Sequence, residues 1–124
     1  MLRQVLIATA IFSMTGLAVA ATPAKVGDTT LGKVLVDEKG MTLYTFTKDS
    51  EGKSACNGPC AKNWPPLMAP AGAKSGDGYT VVQREDGSQQ WAYKGQPLYT
   101  WVKDSKPGET TGEGVNQVWH VAKP

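Results

Sequence analysis

The sequence predicts an all-β fold: a compact sandwich or barrel built from two tandem hairpin-based repeats, behind an N-terminal signal helix. Three observations carry that prediction. An eleven-residue block, Gly40-Met41-Thr42-Leu43-Tyr44-Thr45-Phe46-Thr47-Lys48-Asp49-Ser50, returns as Gly95-Gln96-Pro97-Leu98-Tyr99-Thr100-Trp101-Val102-Lys103-Asp104-Ser105, with seven of eleven positions identical. The offset of 55 residues also pairs Gly32 with Gly87 and Trp64 with Trp119. The 14 glycines and 8 prolines make about 18% of the chain against a usual sum of roughly 12%, a composition suited to many turns. Beyond residue 20, no long segment repeats its apolar positions with a helical period.

The first 20 residues read as an export signal. Arg3 supplies a basic start, residues 5–20 are nearly all apolar and uncharged, and Ala18-Val19-Ala20 is a small-x-small cleavage site. An apolar run of about sixteen residues is shorter than the roughly 20 that a spanning helix needs. Cleavage is therefore expected, leaving a single β domain over residues 21–124 with no transmembrane span. That domain divides into repeats 27–68 and 79–123, joined by a Gly/Ala/Pro linker at 69–78. A copy of that size is too small to bury its own core, so the two should share one.

Within repeat one, residues 33–37 form a β-branched run, Glu38-Lys39-Gly40 a turn and residues 41–47 the return strand. Alternation places Tyr44 and Phe46 on one face, with Leu43 and Thr45 on the other. In repeat two, strands are expected over 79–84, 88–93, 97–103 and 117–122, with a turn at Glu85-Asp86-Gly87. Pro59 suits the first position of a single helical turn over 59–63. Trp64-Pro65-Pro66-Leu67 is expected to cover a sheet edge, where proline blocks further pairing.

Charge and composition narrow the function. A net charge of +2, from basic residues dispersed among acids, does not suit a nucleic-acid partner, which calls for a clustered basic face. One histidine excludes a zinc site that needs two. No phosphate loop, nucleophile elbow or H-E-x-x-H motif is present. A monomer in the periplasm or outside the cell is expected, its partners unknown.

The repeated block contains Tyr-x-(Phe/Trp)-x-x-Asp, as Tyr44, Phe46, Asp49 and as Tyr99, Trp101, Asp104. Downstream lie Cys56-x-x-x-Cys60-Ala61…Trp64-Pro65-Pro66 and Pro107-Gly108…Gly112…Trp119-His120. In the order and spacing of these elements the chain resembles the bacterial secreted repeats of unknown function, often described as predicted lipoproteins with this motif. The resemblance implies a tandem-repeat exported β protein and no particular activity. Many members carry a lipid-accepting cysteine at the signal cleavage site; this chain has none there, so a lipid anchor is not implied for it.

Taken physically, the motif's aromatics stack along a sheet face as core, together with the structural aromatics Trp64 and Trp119. Each aspartate falls past the strand end, where it can accept backbone N–H groups of the following turn. A competing reading sets Asp49 and Asp104 around one cleft for acid–base catalysis. Cys56 and Cys60, in an oxidising compartment, are expected to form a local disulfide, contributing about 2 kcal/mol by chain entropy. Two alternatives stand beside it: a reducible pair, or a copper site using Cys56, Cys60 and His120, with Met41 or Met68 as further ligands. The functional expectation is a non-enzymatic exported module, without cofactor, that binds or builds at the cell envelope. The alternative is a periplasmic redox or copper-handling protein.

Overall fold

A computed structural model describes residues 22–124. The expected signal at residues 1–20 lies outside them. Strands β1 (Lys25–Thr29) and β2 (Gly32–Val36) form an antiparallel hairpin. β3 (Tyr44–Phe46) pairs with β7 (Trp119–Val121), and β4 (Tyr79–Gln83), β5 (Gln89–Tyr93) and β6 (Gln96–Pro97) form an antiparallel three-stranded sheet. A short helix, α1 (Pro59–Asn63), and a 3₁₀ turn (Val115–Gln117) complete the elements. Among the described residues no helix is long and apolar enough to cross a membrane.

The turns follow local chemistry. The Asp37 carboxylate accepts the N–H groups of Lys39 and Met41, both at 2.9 Å. Gly40 then takes φ 84°, a left-handed conformation that costs glycine no Cβ clash.

The tails of the repeats are exchanged. At the end of repeat two, the Leu35 N–H donates to the Ala122 carbonyl at 2.9 Å, and Ala122 N–H donates to Leu43 at 2.8 Å. Those two partners belong to the hairpin of repeat one. At the end of repeat one, Leu67 N–H donates to Leu98 at 2.9 Å, and Trp91 N–H donates to Leu67 at 2.8 Å. Where Tyr44 is the partner of Val121, Tyr99 bridges Pro66. Each repeat therefore completes the other's sheet. Between them, Tyr44 N–H donates to Tyr99 at 2.7 Å and Tyr99 N–H returns the bond at 3.0 Å. This reciprocal pair marks a pseudo-twofold axis.

Two apolar clusters result. One gathers Val34, Val36, Tyr44, Cys56, Trp64, Tyr99, Trp119 and Val121, and the other Leu35, Leu43, Leu98, Ala122, Ala24 and Tyr79. β2 and the Leu43-Tyr44 step send alternate side chains into both, as a strand period of two requires.

Three expectations need correction. The strands expected over 41–47, 97–103 and 117–122 shrink to β3, β6 and β7. The motif turns back on itself before its aspartate, with Asp49 N–H bonded to Phe46 and Asp104 N–H to Trp101. The segment Trp64-Pro65-Pro66-Leu67 does not merely cover an edge: besides the bonds of Leu67, its Pro65 carbonyl accepts Thr100 N–H at 2.8 Å. Proline lacks a donor but keeps its carbonyl, which suffices here. Finally, the β1 strand, Lys-Val-Gly-Asp-Thr, was not anticipated; its mixed composition and largely exposed side chains give little periodic signal.

Candidate functional site

The motif residues meet across the pseudo-twofold axis. The Tyr44 hydroxyl donates to Asp104 Oδ2 at 2.7 Å, and the Tyr99 hydroxyl donates to Asp49 Oδ2 at 2.7 Å. Each tyrosine thus reaches the aspartate of the other repeat. Asp104 also accepts the Thr111 N–H at 3.0 Å and hydroxyl at 2.7 Å, while Gly112 N–H donates to the Tyr44 oxygen at 3.1 Å. Asp49 accepts Ala55 N–H at 2.6 Å. Both aspartates therefore receive a backbone N–H from the following loop.

The aromatics form a continuous stack. Phe46 lies on Trp119 (centroids 4.2 Å apart), Trp119 on Trp64 (3.8 Å) and Trp64 on Trp101 (3.9 Å), with interplanar angles of 14°, 3° and 23°. Successive rings come from alternate repeats. Tyr44 meets Trp64 edge-on at 5.4 Å, and Tyr99 meets Trp119 edge-on at 5.1 Å. Both geometries are those that aromatic quadrupoles favour. The inner pair, Trp64 and Trp119, is buried, while Phe46 and Trp101 at the ends are half-buried.

A polar network adjoins the Tyr99–Asp49 contact. Arg84, only 7% exposed, donates from Nη1 to Gln90 Oε1 at 2.7 Å and to Ser54 Oγ at 3.0 Å. Its Nη2 donates to the Cys56 carbonyl at 2.7 Å and to Asn57 Oδ1 at 3.2 Å. Ser54 Oγ lies 2.6 Å from the Tyr99 oxygen. Tyr99 gives its only proton to Asp49, so Ser54 must give its own to Tyr99. Donors therefore run in one direction, from guanidinium through two hydroxyls to carboxylate, an arrangement in which each bond polarises the next.

Burial pushes the Asp49 carboxyl above its ordinary range, opposed by the Ala55 N–H, the Tyr99 hydroxyl and the Arg84 charge. Burial, then the facing Asp104, drives the Tyr44 phenol well above its ordinary value. Burial does the same to Tyr99, where Ser54 opposes and Asp49 adds. Both phenols stay protonated and act as donors.

Cys56 and Cys60 are joined in a disulfide with Cα atoms 5.2 Å apart. The candidate copper set is not gathered. Both sulfurs are spent on each other, and His120 projects from β7 to Glu113, its Nδ1 2.8 Å from Oε2. Among the described residues, no group of three or more His, Cys, Asp or Glu side chains is placed to hold a metal. Asp49 is bonded to Ala55 of one loop and Asp104 to Thr111 of another. A depression of about 410 Å³ opens beside the stack, where Phe46, Cys60, Trp64 and Trp119 meet Lys48, Asn63 and Asn116. Asn116 is held at φ 51°, a left-handed conformation that asparagine tolerates better than most residues.

Sequence reasoning missed Arg84, Ser54 and Gln90. Each belongs to an unremarkable stretch, and only the packing makes them partners. Gly112 and Thr111 were within reach of a local signal, since they follow the motif aspartate closely.

These features agree with the family comparison. The family described as a secreted repeat of unknown function matches residues 25–68 and again 80–123. The chain belongs to this family of secreted tandem repeats. No curated protein matches it, and no solved structure does.

Proposed function

We propose that the chain is a non-enzymatic binding module that acts as a monomer at the bacterial envelope, in the periplasm or just outside it, without a nucleic-acid partner. One observation carries this reading: the motif's chemistry-bearing groups are turned inward. Each aspartate accepts a tyrosine hydroxyl and a backbone N–H, and the cysteines are bonded to each other. The motif serves to lock the two repeats. What is left for a partner is surface, and the depression beside the stack offers an apolar floor with one cation and two amides on its rim. A few fixed polar groups around an apolar floor is the usual build of a binding site.

The test is co-sedimentation of the purified protein with isolated envelope material, with Lys48→Ser and Asn116→Gly as variants. Glycine keeps the left-handed backbone while removing the amide. Sedimentation that weakens in both variants supports the reading. A protein that remains in the supernatant with every envelope fraction overturns it.

A further inference from the structure

We propose that the aromatic stack is a one-electron relay that accepts oxidising equivalents at Trp101 and delivers them to the two buried tyrosines. This goes beyond binding: it concerns electron transfer along the stack, although Phe46, Trp64 and Trp119 also line the depression. Indole and phenol are the aromatic side chains most readily oxidised by one electron, whereas the benzene ring of phenylalanine resists it. Along the stack, Trp101, Trp64 and Trp119 follow one another with centroids 3.9 and 3.8 Å apart. Tyr44 and Tyr99 touch the two inner indoles edge-on. The far end is Phe46. Both ends are half-buried, but only one is oxidisable, so the relay has a single entrance. The Lys103 ammonium, 5.9 Å from the Trp101 centroid, favours the approach of anionic oxidants there.

The chemistry closes at the tyrosines. An anionic one-electron oxidant removes an electron from Trp101 and is itself reduced. The vacancy passes to Trp64 and Trp119 by electron transfer between stacked rings. Tyr44 then returns an electron to Trp64, and its phenolic proton crosses the existing 2.7 Å hydrogen bond to Asp104 Oδ2. When the vacancy rests on Trp119 instead, Tyr99 fills it, its proton going to Asp49 Oδ2. The products are a neutral tyrosyl radical and a neutral carboxyl group, with the indoles restored. A phenol loses an electron far more easily when a positioned base takes its proton. Both tyrosines have such a base, supplied by the opposite repeat.

The Tyr79–Trp91–Tyr93 group is an internal control. These aromatics pack together, but neither phenol has a carboxylate among its hydrogen-bond partners.

The experiment is pulse radiolysis of the purified protein with the dibromide radical anion, which takes one electron from an indole and leaves two bromide ions. Transient absorption follows the tryptophan radical and the tyrosyl radical. The wild-type protein should show a fast phase in which the first decays as the second appears, slowed in D₂O. Trp101→Phe should remove most of that phase, and Phe46→Trp should roughly double its amplitude by opening the second end. Asp104→Asn should slow the Tyr44 contribution by roughly 100-fold. An unchanged fast phase in Trp101→Phe, or one with no solvent isotope effect in the wild-type protein, overturns the proposal. The isotope measurement needs no variant, so a failure of Asp104→Asn to fold would not blunt the test.

Discussion

Tyr44–Asp104 and Tyr99–Asp49 are the same contact made twice, yet their surroundings differ. Asp104 is 6% exposed, and its lock is held by neutral donors from one short loop: Thr111 through two atoms, and Gly112 on the tyrosine. Asp49 is half-buried and stands at the end of a longer chain from Arg84, with the Cys56–Cys60 bridge in the same loop. Ala55 takes the place that Thr111 holds, six residues past its aspartate rather than seven. One lock relies on close packing and the other on a buried cation plus a covalent staple. A motif can thus set a contact while leaving its reinforcement free to diverge between copies.

The largest expected effect comes from separating the copies. A chain cut to residues 22–68 leaves Leu35, Leu43 and Tyr44 without their partners Ala122 and Tyr99. It should show no cooperative thermal transition by circular dichroism; a sigmoidal melt would mean that one copy folds alone.

Next is Gly112→Ala. Its Cβ would lie 2.8 Å from both Trp64 and the Tyr44 ring, rigid neighbours with no room to give. A loss of about 3 kcal/mol in urea denaturation is expected. Gly52→Ala, in the first-repeat loop between Asp49 and Ala55, meets nothing within 4 Å and is opposed by its positive φ of 70°, a cost of about 1 kcal/mol. Equal losses would undo the contrast between a packed lock and an open one.

The tyrosines should also rank unequally. Tyr44→Phe strands a buried carboxylate oxygen and the Gly112 N–H, for about 2–3 kcal/mol. Tyr99→Phe should cost about 1 kcal/mol, because Asp49 keeps the Ala55 N–H and Ser54 keeps Arg84. Chemical denaturation of the two single variants decides the order. Replacing both cysteines by serine closes no loop in the unfolded chain and should cost about 2 kcal/mol, read as a lower urea midpoint with unchanged slope.

The smallest effect is a pH dependence. The folded protein holds the Asp49 proton more tightly than the unfolded chain, whose ordinary value is 3.8. Its contribution to stability is therefore complete below that value and is lost as pH rises through the higher folded value. Asp49 is half-buried, so the slope should be shallow. Asp49→Asn should abolish it, and its penalty relative to wild type should shrink from pH 3 toward pH 7 in parallel melts. A penalty that grows over that range would mean the carboxylate is stabilised by folding instead.

Much of this was legible in the chain. The 55-residue offset pairs Tyr44 with Tyr99 and Trp64 with Trp119, and these are the residues on the pseudo-twofold axis. The glycine turns, the helix start at Pro59 and the pairing of two cysteines four positions apart are local, and local geometry is what neighbouring residues dictate. The family likeness followed from the same ordered motifs. Other features were not legible. That Tyr44 bonds to Asp104 rather than Asp49 involves residues 60 apart, and nothing in either repeat distinguishes its own aspartate from its twin's. The exchanged tails, the alternating order of the four rings and the path from Arg84 to Asp49 have the same character. By itself, the sequence determined the repeat, its turns and its aromatic inventory. Only the tertiary structure decided which copy's residue meets which, because two nearly identical segments offer nearly identical local contacts and burial of a shared core selects between them.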